Sequence, residues 1–281
     1  MVRIKNKLTG TLPSVVHLAG KNCYVPELYQ AWNILKDSID TGLKTNMEPL
    51  REDTALCFYK CGPLGTTMVE KSLEQFDLSI TNTHKYVPHI PNRRPKHRMA
   101  MRNLLRSKPM ATARFLRENR HIKYVIGYDS TDVFFLDHPN LIVQKFEKEN
   151  KGIIFNAEST CYPRNVLWVY NHLKNSRGEK QININTPFKF LNCGLFIARS
   201  DIYLNLYDEY YAVMRSFPRR ECYEDQGGWH RTWYRRPDEI FIDSDCEYFQ
   251  IAHRMGVGST SPNGISFRNN TEDASCIELI L

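Results

Sequence analysis

Short apolar runs alternate with amphipathic segments along most of the chain. Continuous apolar runs of about four to eight residues are typical of buried strands, whereas apolar residues three or four positions apart are typical of helices. The runs predict strands at residues 14–18, 54–59, 78–81, 123–128, 132–136, 152–157, 195–198, 239–242, 248–252 and 265–268. The periodic segments predict helices at residues 26–37, 68–76 and 201–216, and another at 98–120 with a break near Pro109.

This alternation of strands and helices predicts an α/β fold, with a mixed, mostly parallel sheet flanked by helices. No internal repeat and no convincing linker interrupts the pattern, so residues 1–281 are predicted to form one domain. In open sheets of this kind, ligands bind beyond the carboxyl ends of the strands. Candidate functional residues are therefore expected where an apolar run ends.

Composition narrows the class of protein. A hydrophobic fraction of 42% over 281 residues is enough for a continuous core, which excludes a disordered or low-complexity chain. No uncharged apolar run approaches the ~18 residues of a membrane helix, and the first residues lack the apolar stretch of a secretory signal. The eight cysteines are then expected to be reduced thiols of a cytoplasmic protein with no transmembrane segment.

Much of the formal net charge of +7 lies in one basic stretch. Its basic residues are Arg93, Arg94, Lys96, His97, Arg98, Arg102 and Arg106. Such a cluster can contact the phosphates of a nucleic acid, a nucleotide-sugar or a membrane. Because proline interrupts the stretch and no nucleic-acid motif surrounds it, we expect no nucleic-acid partner.

The most specific signal is the segment YVIGYDSTDVFFLD, in which an apolar strand ends in Asp129-Ser-Thr-Asp132. Two carboxylates three residues apart on a strand-exit turn can face one point. Mg²⁺ and Mn²⁺ take few carboxylates and complete their shell with phosphate oxygens and water. The alternative is an ordinary turn that the aspartates cap. A phosphatase-type aspartate nucleophile is disfavoured, since that motif needs Asp-x-Asp.

Two further strands end in polar residues. The segment IIFNAESTCYP brings Glu158 and Tyr162 to a strand exit, and a carboxylate beside an aromatic ring is a common sugar-binding pair. Taken alone, the same residues also suit an ordinary turn. In FKFLNCGLFIARS, Asn192 offers both a donor and an acceptor, and Gly194 permits close approach of the backbone.

The segment CYEDQGGWH groups Glu224, Asp225 and Gln226. An acidic pair can act as a general base or stabilise a cationic transition state. The alternative for Glu224 and Asp225 is a solvated helix start.

In this order and spacing, the segments resemble the glycosyltransferase domain of the procollagen lysyl hydroxylase and glucosyltransferase family, which has a GT-A fold. The family pattern is D-S-x-D, A-E-x-x-C-[WY]-P, L-N-S-G-G-F-I-G, D-D-Q and L-D-x-x-x-x-I-F-Q, and it is matched across roughly residues 54–268. The resemblance implies a Mn²⁺-dependent enzyme, with Mg²⁺ as an alternative ion. The enzyme would move a sugar from a UDP-sugar donor to a hydroxyl of a glycan or glycoprotein acceptor. No hydroxylase domain is matched.

The resemblance also implies a role for each matching residue. Asp129 and Asp132 would bind the metal ion, and Asp225 and Glu224 would be catalytic. Residues implied to line the sugar and acceptor cleft are Glu158, Tyr162, Asn192, Gly194 and Gln226. Residues implied to face the nucleotide are Tyr59, Lys60, Arg98, Gly20 and Thr131, the last standing where the family has a tyrosine. The nucleotide-binding half would span residues 51–140 and the acceptor half 141–281.

The family's third metal ligand is a histidine in a strand L-P-x-V-V-H-G-N-G that follows the F-Q strand. Here the matching segment is Leu-Pro-Ser-Val-Val-His17-Leu-Ala-Gly20, near the start of the sequence. We therefore expect a circular permutation, in which residues 1–50 carry the family's terminal strand and a helix. Domain termini often lie close together, which makes such a rearrangement tolerable. A plain strand-end role for His17 is the alternative, with Asp243 or Asp245 as rival ligands.

Two other functions stay open at this point. One is a non-catalytic sugar- or nucleotide-binding module, and the other is a basic nucleic-acid-binding protein or nuclease. The sequence leaves the identity of the sugar, the acceptor and the stereochemistry undefined. A cytoplasmic relative of this family would be of the kind that large DNA viruses encode.

Overall fold

The computed structural model describes residues 2–18, 26–45, 47–60, 65–86, 98–177, 186–216, 225–251 and 277–280. Its helices are α1 (Pro26–Asp40), α2 (Met68–Leu73), α3 (Arg98–Glu118), α4 (Pro139–Glu147), α5 (Leu167–Arg177), α6 (Ser200–Ser216) and α7 (Asp225–Arg235). Its strands are β1 (Arg3–Asn6), β2 (Val15–His17), β3 (Thr54–Tyr59), β4 (Thr81–Asn82), β5 (Tyr124–Asp129), β6 (Val133–Phe135), β7 (Ile153–Glu158), β8 (Phe190–Arg199), β9 (Ile240–Ile242), β10 (Phe249–Ile251) and β11 (Ile277–Ile280).

Six strands form the main sheet, in the order β4-β3-β5-β8-β7-β9. β8 is antiparallel to both of its neighbours, β5 and β7, and the other three pairings are parallel. β5 and β7 therefore run in the same direction on either side of β8, and their carboxyl ends lie at the same edge. The mixed, mostly parallel sheet confirms the predicted fold class.

Apolar side chains cover both faces of this sheet. On one face, Phe115 of α3, Tyr203 of α6 and Trp229 of α7 pack in one buried cluster. On the other face, a second cluster contains Val69 of α2 and Ile142 of α4. Because both faces are covered, the strands read as continuous apolar runs, as in ALCFY at residues 55–59.

A smaller sheet joins the start of the chain to its centre. β2 lies between β10, to which it is parallel, and β6, to which it is antiparallel. β1 pairs with β11 in antiparallel fashion, with Arg3 opposite Ile280. The first and last described strands are thus neighbours.

The structure departs from the predicted elements at several positions. The helix predicted to break near Pro109 is continuous, because Lys108 before the proline and Ala111 and Leu116 after it are buried, although proline removes one backbone hydrogen bond. β8 begins at Phe190, not at residue 195, since pairing with β7 extends to Glu158. The predicted strand at 78–81 is reduced to β4, and the one predicted at 265–268 lies outside the described residues.

The four cysteines within the described residues, Cys57, Cys161, Cys193 and Cys246, are free thiols. Burial raises the pKa of Cys57 and Cys193, so these thiols stay protonated. Among the described residues, no helix has both the length and the apolar character needed to cross a membrane.

Candidate active site

The carboxyl end of β5 carries the two predicted metal-binding aspartates. Asp129 is the last residue of the strand, and Asp132 follows in the turn that leads to β6. The Ser130 hydroxyl donates to the Tyr59 carbonyl at 2.9 Å, and the backbone N–H of Val69 donates to the Ser130 carbonyl at 3.2 Å. The turn is therefore held by β3 and α2, and both carboxylates are left partly exposed.

His17 lies opposite these carboxylates. It ends β2, is 2% exposed, and points its Nε2 atom to within 3.7 Å of Asp129 Oδ2 and 3.8 Å of Asp132 Oδ1. One ligand atom from each of the three residues lies within 4.8 Å of the other two. The structure thus brings together the three residues that the sequence motifs singled out.

The space between His17, Asp129 and Asp132, called the metal pocket below, has the features that a hard divalent cation requires. Asp132 Oδ1 is buried and accepts no hydrogen bond from any residue that the structure describes. A Cβ atom built on Gly194 would overlap the His17 ring and lie 2.7 Å from Asp129 Oδ2, so glycine keeps this space open. Two carboxylates and an imidazole are ligands that suit Mn²⁺, and Mg²⁺ with more water. The residues present therefore fit such an ion.

The rival ligands lie elsewhere. The carboxylate of Asp243 accepts hydrogen bonds from the backbone N–H groups of Glu247, Tyr248 and Phe249, at 2.9, 2.9 and 2.8 Å. Burial raises the pKa of Asp243 to about 6, although these three hydrogen bonds act to lower it. Asp243 therefore organises the turn before β10, and Asp245 is exposed in the same turn.

Lys108 is a site residue that the sequence analysis missed. It lies on α3, its side chain is 9% exposed, and its ammonium group forms an ion pair with Asp129 and lies 3.5 Å from Asp225 Oδ2. Burial acts to lower the pKa of Lys108, but the charges of Asp129 and Asp225 outweigh it and raise the pKa. The sequence held one signal, because Lys108 falls on the same helix face as the buried Ala111, Thr112 and Phe115.

Asp225 is the first residue of α7 and is only 4% exposed. The alternative of a solvated helix start is therefore wrong for Asp225. Glu224 lies outside the described residues. Lys108 links Asp225 to the metal pocket, since the same ammonium group contacts Asp129.

Glu158 ends β7 and lies beside Asn192 and Gln226. Its carboxylate accepts from Gln226 Nε2 at 2.6 Å and from Asn192 Nδ2 at 3.2 Å. Burial raises the pKa of Glu158 to about 8, although both amides act to lower it. Asn192 Oδ1 also accepts from the backbone N–H of Gly194 at 2.9 Å. Asn192 therefore connects Glu158 to the glycine that lies beside His17 and Asp129.

A buried histidine contacts the segment that contains Tyr162. His230 on α7 contacts the Tyr162 carbonyl through Nε2 at 2.9 Å and the Tyr170 hydroxyl through Nδ1 at 2.8 Å. Burial lowers the pKa of His230 to about 4, so the ring is neutral and can donate at one nitrogen and accept at the other. The Tyr162 side chain is 50% exposed. His230 therefore fixes the backbone of this segment, and the tyrosine ring faces solvent.

The described residues that are implied to face the nucleotide contact different partners. Tyr59 is buried and its hydroxyl lies 3.2 Å from the Ser107 hydroxyl. Lys60 forms an ion pair with Glu70 at 2.9 Å, and Thr131 is exposed beside the two aspartates. The backbone of Arg98 begins α3, while its side chain and the whole of Gly20 lie outside what the structure describes.

Comparison with known proteins bears on residues 111–212, which match the family model of the PLOD GT domain, the glycosyltransferase domain of the lysyl hydroxylase family. The matched segment includes β5, both aspartates, β7, β8 and most of α6. The match confirms the resemblance that the motifs indicated, and with the mixed sheet it confirms the GT-A fold class. It also supports glycosyltransferase activity. No curated protein matches the chain significantly.

Proposed function

We propose that this protein is a glycosyltransferase that uses a UDP-sugar donor and a Mn²⁺ ion, with Mg²⁺ as the alternative ion. The observation that carries the proposal is the convergence of His17, Asp129 and Asp132 on one point at the carboxyl edge of the sheet. The match of residues 111–212 to a glycosyltransferase domain supports it. A divalent ion held by these residues would offset the charge of the diphosphate leaving group.

The charges around the pocket support a cation there. Asp129 and Asp225 share the buried ammonium group of Lys108, and Asp132 is a third carboxylate beside Asp129. These side chains therefore carry an excess of negative charge, which attracts a cation. Lys108 is proposed to hold Asp129 and Asp225 in place, so that neither carboxylate has to reorganise when donor and acceptor bind.

For a reaction that inverts the anomeric configuration, Asp225 is proposed to be the catalytic base. In the transfer, the bond between the sugar anomeric carbon and the diphosphate oxygen breaks, and a bond from the acceptor oxygen to that carbon forms. The acceptor hydroxyl loses its proton, and a carboxylate in the position of Asp225 can take it. Glu224 is proposed to orient the acceptor or donor hydroxyls.

Glu158, Asn192 and Gln226 are proposed to bind hydroxyls of the transferred sugar, beside the close backbone approach at Gly194. Because the pKa of Glu158 is raised to about 8, its carboxyl group keeps its proton at neutral pH and can both donate and accept. The exposed ring of Tyr162 is proposed to stack on a glycan acceptor. Tyr59, Lys60, Arg98, Thr131 and Gly20 are proposed to face the nucleotide.

The direct test is to incubate the protein with a panel of UDP-sugars and a glycan or glycoprotein acceptor, with and without Mn²⁺, and to follow UDP release. Release that requires Mn²⁺ and stops with a chelator supports the proposal. Binding of a UDP-sugar without turnover would instead indicate a non-catalytic binding module. Nucleic-acid binding that falls steeply with salt, with no UDP release, would indicate the third function.

The circular permutation remains a proposal, supported by the positions of β2 and β1. β2 lies beside β10, which carries Phe249 and Gln250, as expected for a strand that follows the F-Q strand in the family order. β1 and β11 are paired, so a short linker can join the two ends. A variant with these ends joined and the chain opened between residues 41 and 47 is expected to fold and bind Mn²⁺ like the parent. A variant that cannot fold would contradict the proposal.

A further inference from the structure

We infer that Asn156 is a positioning residue for His17. When a cation binds, the side-chain amide of Asn156 rotates by half a turn, and the ring proton of the His17 imidazole is then held on Nδ1. The inference rests on the proposed function, because it concerns how His17 becomes a metal ligand. Asn156 lies in β7, is fully buried, and places its Nδ2 atom 3.3 Å from His17 Nδ1.

The two nitrogens of His17 face different partners. Nε2 faces the carboxylates of Asp129 and Asp132, and Nδ1 faces Asn156. In the arrangement described here, Nδ2 of Asn156 donates to Nδ1, which leaves the proton of a neutral ring on Nε2. That form directs an N–H at the carboxylates and has no free electron pair on Nε2. A cation therefore needs the other form of the ring.

The Oδ1 atom of the same amide is the hydrogen-bond acceptor that a proton on Nδ1 requires. The Oδ1 atom of Asn156 is buried and has no hydrogen-bond partner among the described residues. Rotation of the amide by half a turn would place Oδ1 where it accepts from Nδ1–H, and it would break no bond that Oδ1 now makes. The two orientations differ only in which end faces the ring, and they are difficult to tell apart by shape. Metal-bound histidines commonly donate their second N–H to such an acceptor.

The local backbone explains how this side chain reaches His17. The pairing of β7 with β8 shifts register between Phe155 and Asn156, so that Asn156 is paired with Asn192. A bulge of this kind changes the direction of a side chain. A neutral amide is also suited to the position, because a carboxylate would add negative charge beside two aspartates and would hold the ring in one form only.

The first experiment measures Mn²⁺ binding by electron paramagnetic resonance, without any sugar nucleotide. Asn156→Leu removes both ends of the amide and is expected to weaken binding by about 10–100-fold. Asn156→Asp keeps the acceptor and is expected to bind at least as tightly as the wild type. Asn140→Leu is the matched control, because Asn140 is also buried and hydrogen-bonded, to the Arg51 N–H and the Pro49 carbonyl, but lies outside the pocket.

The second experiment observes the imidazole directly, by nitrogen NMR of histidine-labelled wild type, with His17 assigned by its absence in His17→Gln. Addition of diamagnetic Mg²⁺ is expected to move the proton from Nε2 to Nδ1. Wild type that binds neither ion would overturn the proposed function and this inference together. Wild type that binds an ion while Nδ1 stays unprotonated, or a folded Asn156→Leu with unchanged affinity, would overturn the inference alone.

Discussion

The carboxylates that end β5 and β7 occupy equivalent places in the sheet but different surroundings. Asp129 and Glu158 lie on either side of β8, at the same edge. Asp129 is a quarter exposed and faces an ammonium group, an imidazole and a second carboxylate. Glu158 is 8% exposed and is bound by the neutral amides of Asn192 and Gln226.

This contrast shows that neighbours, not position in the sheet, decide what a strand-end carboxylate can do. Around Asp129, the ion pair with Lys108 favours a charged group, and an oxygen of Asp132 is left without a partner among the described residues. Around Glu158, both amides are committed to the carboxyl group and burial raises its pKa to about 8. One end is therefore suited to a cation and the other to uncharged hydroxyls.

The largest expected effect is at the charged end. Asp132→Asn removes a charged ligand and is expected to weaken Mn²⁺ binding by more than about 100-fold, since even outer partners of metal ligands contribute 10–100-fold. Turnover that depends on Mn²⁺ is expected to be lost. The fold is expected to persist, because Asp132 lies in a partly exposed turn. Calorimetric titration and a thermal melt check this, with Asp245→Asn, in the turn of the rival ligands, as the control. Full activity of Asp132→Asn would refute the metal assignment.

The next effect tests whether Asp225 takes part in proton transfer or only stabilises the structure. Asp225→Asn is expected to lower kcat by about 10²–10⁴-fold, because proton transfer matters only as the transition state forms. UDP affinity is expected to change little. Steady-state kinetics and UDP titration separate the two, and Asp208→Asn, an exposed α6 carboxylate paired with Arg117, is the control. A parallel fall of affinity and rate would assign Asp225 a structural role.

The third test concerns Gly194, which lies beside both Asp129 and Asn192, a partner of Glu158. Gly194→Ala places a methyl group against the His17 ring and 2.7 Å from Asp129 Oδ2, so it is expected to cost about 1–3 kcal/mol of stability and to weaken Mn²⁺ binding. Gly65→Ala is the matched control, since a Cβ at Gly65 meets nothing within 4 Å. Urea denaturation and Mn²⁺ titration of both variants check this. Equal behaviour of the two would mean that the pocket has room to spare.

The last test concerns Glu158, at the end of β7, through the dependence of stability on pH. Because the folded-state pKa of Glu158 is about 8 and its ordinary value is 4.5, the folded protein keeps a proton that the unfolded chain has lost between these pH values. Wild-type stability therefore falls as pH rises through this window, by at most roughly 1.4 kcal/mol per pH unit from this group. Glu158→Gln removes that contribution, so its stability relative to wild type is expected to increase with pH.

Urea denaturation at several pH values between about 5 and 8 measures this difference. Glu118→Gln, which changes an exposed carboxylate on α3, controls for the loss of one negative charge. A constant difference between Glu158→Gln and wild type would show that Glu158 is ionised throughout.

The sequence predicted the parts of the sheet that are buried on both faces. β3 and β5 appear as continuous apolar runs because every residue but Asp129 is buried. β1 and β11 were missed, since RIKN has no continuous apolar run and the pairing joins positions nearly a whole chain apart. α7 was missed because its first turn contains Gly227 and Gly228, which weaken a helical pattern.

The site was predicted where chemistry appears in short motifs. His17 and Asp129 were found near the end of an apolar run and Asp132 in the turn after Asp129, and the structure brings the three together. Lys108 and Asn156 were missed because their partners lie on other elements: Lys108 meets Asp129 across 21 positions and Asn156 meets His17 across 139. The position of Lys108 on the buried face of α3 is visible in the sequence, but its carboxylate partners are not.

The central position of β2 has a consequence for the order in which the protein can fold. A ribosome makes β2 before both of its partners, which are β6, at residues 133–135, and β10, at residues 249–251. Val15 and Val16, which are fully buried in the folded protein, have one neighbouring strand once β6 is made and the other only after β10 is made. Contacts of such long sequence separation form slowly, and an unpaired apolar strand invites association with other chains. The segment that completes the pocket is thus made well before the strands that cover it.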